Sequence, residues 1–154
     1  MSIEAGKKHL EKFGLQDRIK EFKESTATVE EAAMVNSCEL ARIAKSLSFL
    51  IKDIPTIIVV AGDAKINNQK FKATFKTKAK MIAGNDVETL IGHPIGGVCP
   101  FAVKDNVKVY LDTSMKRFQT MLPACGTPNS AIELTLEELE KASNYIEWID
   151  VCQI

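Results

Sequence analysis

The stretch Gly92-His-Pro-Ile-Gly-Gly-Val-Cys-Pro-Phe101 admits neither a helix nor a regular strand. Pro94 and Pro100 fix φ and remove two backbone donors, while the adjacent Gly96 and Gly97 open conformations closed to other residues. Apolar Ile95, Val98 and Phe101 can pin such a loop to a core. Two readings follow. The segment is a tight structural turn, or it is a rigid cradle whose N–H groups, unshielded by a Cβ, meet a carbonyl or phosphate oxygen.

With 154 residues, 45% hydrophobic and 26% charged, the chain is expected to form one domain over residues 1–154 and to bury a core without staples. No apolar run approaches the ~20 residues of a membrane span. The start, Met-Ser-Ile-Glu-Ala-Gly-Lys-Lys-His, lacks the apolar centre of a signal peptide. A cytoplasmic protein without a membrane partner is therefore expected. Cys38, Cys99, Cys125 and Cys152 are scattered without a C-x-x-C pair, and His9 and His93 are the only histidines, so neither a metal site nor a cofactor is expected. A thiol nucleophile at Cys99 or Cys125 needs a base, and only His93 is near in sequence. Small buried hydrophobes are the simpler reading of both cysteines.

The usual nucleotide and hydrolase signatures are missing: no G-x-x-x-x-G-K-[ST], no G-x-G-x-x-G, no G-x-S-x-G, no H-E-x-x-H. An enzyme built on this chain would work by positioning and backbone electrostatics. Net charge is zero, yet residues 65–80 hold six lysines and no acid, which leaves −6 on the remainder. Lys70, Lys72 and Lys76 are among them. The run is either a solvated face or a contact surface for a polyanion, meaning nucleic-acid phosphates. Phe71 and Phe75, four apart, would anchor a helix to the core rather than stack on bases.

Periodicity predicts interleaved helices and strands. A helix runs Ser2 to Phe13, with Ser2 as cap and Gly14 just past its end. Residues 18–22 are ambiguous between strand and helix. Thr28-Val-Glu-Glu31 is a capping box opening a helix through Met34, and Asn36-Ser37 caps a second helix through about Lys45. Leu47–Ile51 and Thr56–Ala61 form a hairpin around Lys-Asp-Ile-Pro. Asn67 to Phe75 is helical, and Asn85 caps a helix from Asp86 to Ile91. Val107–Leu111, Gln119–Leu122, Ala131–Leu134 and Ile146–Val151 are strands, with a second capping box at Thr135-Leu-Glu-Glu138. The fold class is α/β (α+β), a mixed sheet flanked by helices, and not a doubly wound nucleotide fold.

Ala41-Arg-Ile-Ala-Lys-Ser-Leu-Ser-Phe49 resembles the lysine-bearing segment of the YbaK/EbsC family. These are aminoacyl-tRNA deacylases related to the editing insertion of bacterial prolyl-tRNA synthetase. Val59-Val-Ala-Gly-Asp63, Asn68-Gln-Lys-Phe71, the Gly92–Phe101 stretch, Val109-Tyr-Leu-Asp112 and Gly126-Thr-Pro-Asn-Ser-Ala-Ile-Glu-Leu134 fit in order. The resemblance implies a partly barrel-like sheet and hydrolysis of the ester of a mischarged tRNA. It places the family's key lysine on Lys45 and its G-x-x-x-P loop on Gly96 to Pro100. Ser130 falls on a site-lining position, and Ser46 stands where many relatives have threonine.

Read this way, Lys45 and the amides of Gly96 and Gly97 are the catalytic candidates, water is the nucleophile, and Ser46, Pro100, Ser130 and His93 contact substrate. Lys70, Lys72 and Lys76 hold tRNA, a prolyl-tRNA synthetase is a second possible partner, and DNA is not one. A small residue such as alanine or cysteine on proline tRNA is the expected ester. Alternatives stay open on the residues alone. Lys45 also reads as a helix-end lysine favoured by the macrodipole. His93 is a general base or a turn residue bonding the backbone, and Asp63 caps the next segment or lines the site. The whole chain could be a non-catalytic tRNA- or protein-binding module.

Overall fold

The computed structural model describes residues 2–154. Helix α1 (Ser2–Glu11) is followed by β1 (Lys20–Glu21) and α2 (Val29–Asn36), then by the long hairpin β2 (Ile43–Ile51) and β3 (Ile54–Ala61). The short strand β4 (Lys65–Ile66) leads into α3 (Asn68–Phe75) and α4 (Val87–Ile91). β5 (Lys108–Asp112), β6 (Thr120–Pro123), β7 (Ser130–Ala131) and β8 (Leu134–Thr135) precede α5 (Leu136–Ser143), and β9 (Trp148–Ile149) and β10 (Cys152–Gln153) close the order. Six strands form a mixed sheet in the order β8-β6-β2-β3-β5-β9. It curls into a half-barrel with helices around it. Two small ladders, β1-β7 and β10-β4, close its flanks.

The centre is β3. Ile57, Ile58, Val59, Val60 and Ala61 are all fully buried. A strand covered on both faces carries a continuous β-branched run instead of an alternating one, and each buried Ile or Val contributes about 1.5–3 kcal/mol. Phe71 of α3 is fully buried, its ring 5.2 Å from Phe49 and 4.9 Å from Phe75. The aromatic pair four apart thus fastens α3 to the sheet. Both capping boxes form as expected: Thr28 with Glu31, and Thr135 with Glu138.

Several boundaries differ from expectation. Asn36-Ser37 closes α2 and opens nothing: Ser37 is left-handed (φ 53°) and its N–H bonds Ala33 and Met34. A 3₁₀ turn, Leu40–Arg42, replaces the expected second helix. Pairing with β3 from Ala44 and with β6 at Ile43 extends β2 back to Ile43, so Lys45 is a strand residue opposite Val60 and not the end of a helix. Tertiary pairing overrides the local helical pattern here. The helix expected from Asp86 starts at Val87 after a 3₁₀ turn, without an Asn85 cap. Ala131–Leu134 splits because β7 pairs β1 while β8 pairs β6, and of Ile146–Val151 only Trp148–Ile149 forms a strand, paired with β5, while β10 on β4 lies beyond the expected end. α1 ends at Glu11, with Gly14 at φ 71°, and the expected Ser2 cap involves a side chain outside the described ones. Among the described residues no helix is long and apolar enough to cross a membrane.

Candidate functional site

The sheet has a gap. β6 pairs β2 only at Ile43 and Ala44. The 80–82 segment joins the same edge further on, where Leu50 N–H bonds Lys80 O (2.8 Å), Ile82 N–H bonds Ser48 O (3.1 Å) and Phe49 bridges Met81. Ladder bonds alternate along a strand. Since Ser48 and Leu50 turn their backbone groups away from β3, Ser46 does so too. Its N–H and C=O therefore face the gap.

A cleft of about 440 Å³ opens over this gap, within the size range of small-molecule sites. β2 contributes Lys45, Ser46, Leu47 and Ser48, and Thr26 to Val29 form one wall. Met81, Ile82, Gly84 and Val87 form another, and Ile95, Gly96 and Val98 a third. Ser46 Oγ is buried without a hydrogen-bond partner. Leaving such a group unpaired costs about 1–3 kcal/mol of lost solvation. Gly96 is left-handed (φ +85°), and a Cβ there would lie 3.0 Å from Ala27 Cβ. Among the described residues its N–H makes no hydrogen bond. Lys45 stands near Asp63: the Arg117 guanidinium, at 2.6 and 3.0 Å, holds that carboxyl below its ordinary range, and the Lys45 ammonium adds to the effect. Asp63 is thus half of a bidentate ion pair and not a cap.

Three of the anticipated residues meet in the cleft: Lys45, Ser46 and Gly96. The others do not line it. Gly97 N–H bonds Pro94 O (3.0 Å), and a Gly97 Cβ would lie 2.7 Å from the Thr127 backbone. Its lack of a side chain serves packing, and its amide is already occupied. Pro100 borders a separate groove with Lys8, Lys12 and Lys104. Ser130 is buried, accepting from Cys125 N–H (3.1 Å) and donating to Thr127 O (3.2 Å), so it shapes the loop that packs on Gly97. Of the lysines, Lys70 is engaged by Asp150 (3.1 Å) and Cys152 O (2.9 Å), whereas Lys72 and Lys76 stand exposed. Thr26–Val29 and Met81 carry no site signal in the sequence, and Ile95, expected to pin the loop to the core, instead stands exposed at the cleft. The exposure of Met81 and Ile95, 59% and 66%, is the sign of a binding lip, but exposure is not written in a sequence.

His93 is fully buried behind the loop. Its Nε2–H donates to Phe101 O (2.6 Å), and Nδ1 has no partner. Burial pushes its pKa below the ordinary 6.5, although the bond to Phe101 opposes this. It is the turn residue of the two readings, holding both ends of the proline-glycine loop together. The unfolded chain protonates this imidazole near pH 6.5 while the folded chain resists, so its contribution is complete above 6.5 and lost as pH falls. The melting temperature is expected to drop between pH 6.5 and 5, and His93→Gln to flatten that drop; an unchanged slope would refute the assignment. Burial also pushes Cys99 up to about 12 and Cys125 higher still, so neither thiol ionises at neutral pH. Among the described residues no three His, Cys, Asp or Glu are arranged to hold a metal.

The sequence profile of the aminoacyl-tRNA editing domain matches residues 23–142, most of the chain and every wall of the cleft. The chain belongs to the aminoacyl-tRNA editing domain family. Within it, the chain is 50% identical over 154 residues to uncharacterized protein YwhH of Bacillus subtilis strain 168, covering 99% of this chain and 98% of that one. It is 26% identical over 125 residues to EbsC of Enterococcus faecalis, named as a proposed Cys-tRNA(Pro)/Cys-tRNA(Cys) deacylase, covering 80% and 76%. A crystal structure described as a proposed trans-editing enzyme for prolyl tRNA synthetase superposes with a TM-score of 0.88 at 25% identity, covering 99% and 98%. The family is thus the YbaK/EbsC one, and it points to aminoacyl-tRNA deacylation.

Proposed function

We propose that this editing-family chain is a trans-acting deacylase that hydrolyses a mischarged aminoacyl-tRNA, with a small amino acid such as alanine or cysteine on proline tRNA as substrate. The observation that carries the reading is that Lys45 and Gly96, 51 positions apart, line one cleft around a buried unpartnered hydroxyl. Water attacks the ester carbonyl, charge gathers on its oxygen, and the C–O bond to the terminal ribose then breaks as the proton given up by the water passes to the departing ribose oxygen. The Gly96 N–H and the Lys45 ammonium are the donors for that oxygen, each such donor typically worth several kcal/mol of barrier. Ser46 Oγ and the open Ser46 backbone take the polar groups of the amino acid. A synthetase pocket rejects a smaller amino acid by only ~1–3 kcal/mol per missing methylene, which makes a second, smaller site useful. A prolyl-tRNA synthetase is the partner suggested by the structural relative.

The test is a panel of aminoacyl-tRNAs that includes alanyl- and cysteinyl-tRNA with the proline anticodon. Hydrolysis supports the reading, and binding without turnover indicates a non-catalytic module. Ser46→Ala separates function from folding: it removes a buried unpaired hydroxyl, so stability is expected to hold or rise slightly while KM rises several-fold. A stability loss above ~1 kcal/mol would mean the hydroxyl has a structural partner. Cys99→Ala is expected to retain turnover, and its loss would revive a thiol mechanism.

A further inference from the structure

Between α3 and the cleft, residues 76–80 run as Lys-Thr-Lys-Ala-Lys. Lys76 ends α3 in the left-handed region (φ 60°), its N–H bonded to Lys72 O. From there burial alternates: Thr77 and Ala79 are half-buried, with Ala79 packed on the core, while Lys76, Lys78 and Lys80 are exposed. The chain bends at Lys76 and Thr77 and runs straight only from Lys78, and its far end is fixed to β2 by the Leu50 N–H bond to Lys80 O. The next residue, Met81, is a lip of the cleft. Among the described residues none of these three lysines forms an ion pair, in contrast to Lys70.

We infer that Lys76, Lys78 and Lys80 form a track for the phosphates of the single-stranded 3′ end of tRNA, leading its terminal nucleotide to the cleft. Past the bend, Lys78 and Lys80 are alternate residues of a straight segment, which repeat at roughly 6–7 Å, comparable with the separation of successive phosphates along a single strand; Lys76 stands at the bend that begins the row. Three like charges held in a row without counter-charge repel one another, and a row of phosphates relieves that repulsion. A duplex would not match a track that ends at a cleft lip. The inference rests on the proposed function for the identity of the polyanion, and it moves the contact from Lys70 and Lys72 toward Lys78 and Lys80.

Binding of uncharged RNA hairpins tests it without any turnover. One hairpin carries an acceptor stem with a single-stranded 3′ end terminating in CCA, and the other lacks those unpaired nucleotides. The wild-type chain is expected to bind the first at least tenfold more tightly at low salt. Lys78→Ala with Lys80→Ala should abolish that preference and flatten the log–log salt slope by about 1.4, at ~0.7 for each phosphate of a single strand. Lys78→Arg with Lys80→Arg should keep it, which excludes misfolding as the cause, and Lys70→Ala with Lys72→Ala should change it less than threefold. Unchanged affinity and slope in the double alanine variant, or equal weakening toward both hairpins, overturns the track. Because deacylation plays no part in this readout, a chain that grips the 3′ end yet cleaves no ester in the panel refutes the proposed reaction alone.

Discussion

Replacing Lys45 with alanine is expected to lower kcat/KM for aminoacyl-tRNA deacylation at least tenfold, equivalent to ~1.4 kcal/mol of transition-state stabilisation. The loss should fall mainly on kcat if the ammonium meets charge that develops only as water attacks, and on KM if it meets a phosphate already present in the bound substrate. Stability should change by less than ~1 kcal/mol, because Lys45 is only half-buried and its backbone bonds to β3 remain. Parallel assays of turnover and thermal melting check both parts. Full activity in a folded Lys45→Ala chain would remove this lysine from the chemistry.

Gly97→Ala is expected to cost about 1–3 kcal/mol, the usual range for overpacking a close contact. At ~2–4 °C per kcal/mol for a chain of this length, the melting temperature falls by roughly 2–12 °C. The new methyl would meet Thr127 Cα and N at 2.7 Å and Gly126 C at 2.8 Å, all backbone atoms that no rotamer change can move. The loop would have to lift, carrying the neighbouring Gly96 N–H out of the cleft, so turnover should fall along with stability. A melting temperature within about 1 °C of the wild type would show that the two loops separate easily.

The residues that could be read in advance were those whose local chemistry and tertiary role agree. The Thr28 and Thr135 capping boxes, the hairpin of β2 and β3, and the Phe71–Phe75 pair needed only neighbours in sequence. Lys45 carries the motif yet reads locally as a helix end, because Ile43 and Ala44 fit a helical face until β6 pairs with the first and β3 with the second. Ser130 reads in sequence as a contact with substrate, and His93 reads either as one or as a turn residue bonding the backbone. Both satisfy backbone groups behind the cleft, and a polar residue in a loop reads the same in either role. Gly97 shows the limit most clearly. Both glycines of a Gly-Gly pair seem open to a ligand until the fold puts Thr127 against one of them. The Met81 and Ile95 lips depend on exposure, which belongs to the folded surface alone.

The gap in the edge of β2 has a consequence for amide hydrogen exchange. Lys45 and Leu47 turn their N–H groups toward β3, while the Ser46 N–H faces the cleft without a strand partner. One fast-exchanging amide should therefore stand between two slow ones at the centre of the sheet. An amino-acid group that seats its polar atoms there would slow that single position, so occupancy of the cleft can be followed at Ser46 in the unlabelled protein, including with esters too slow or too inert to be cleaved.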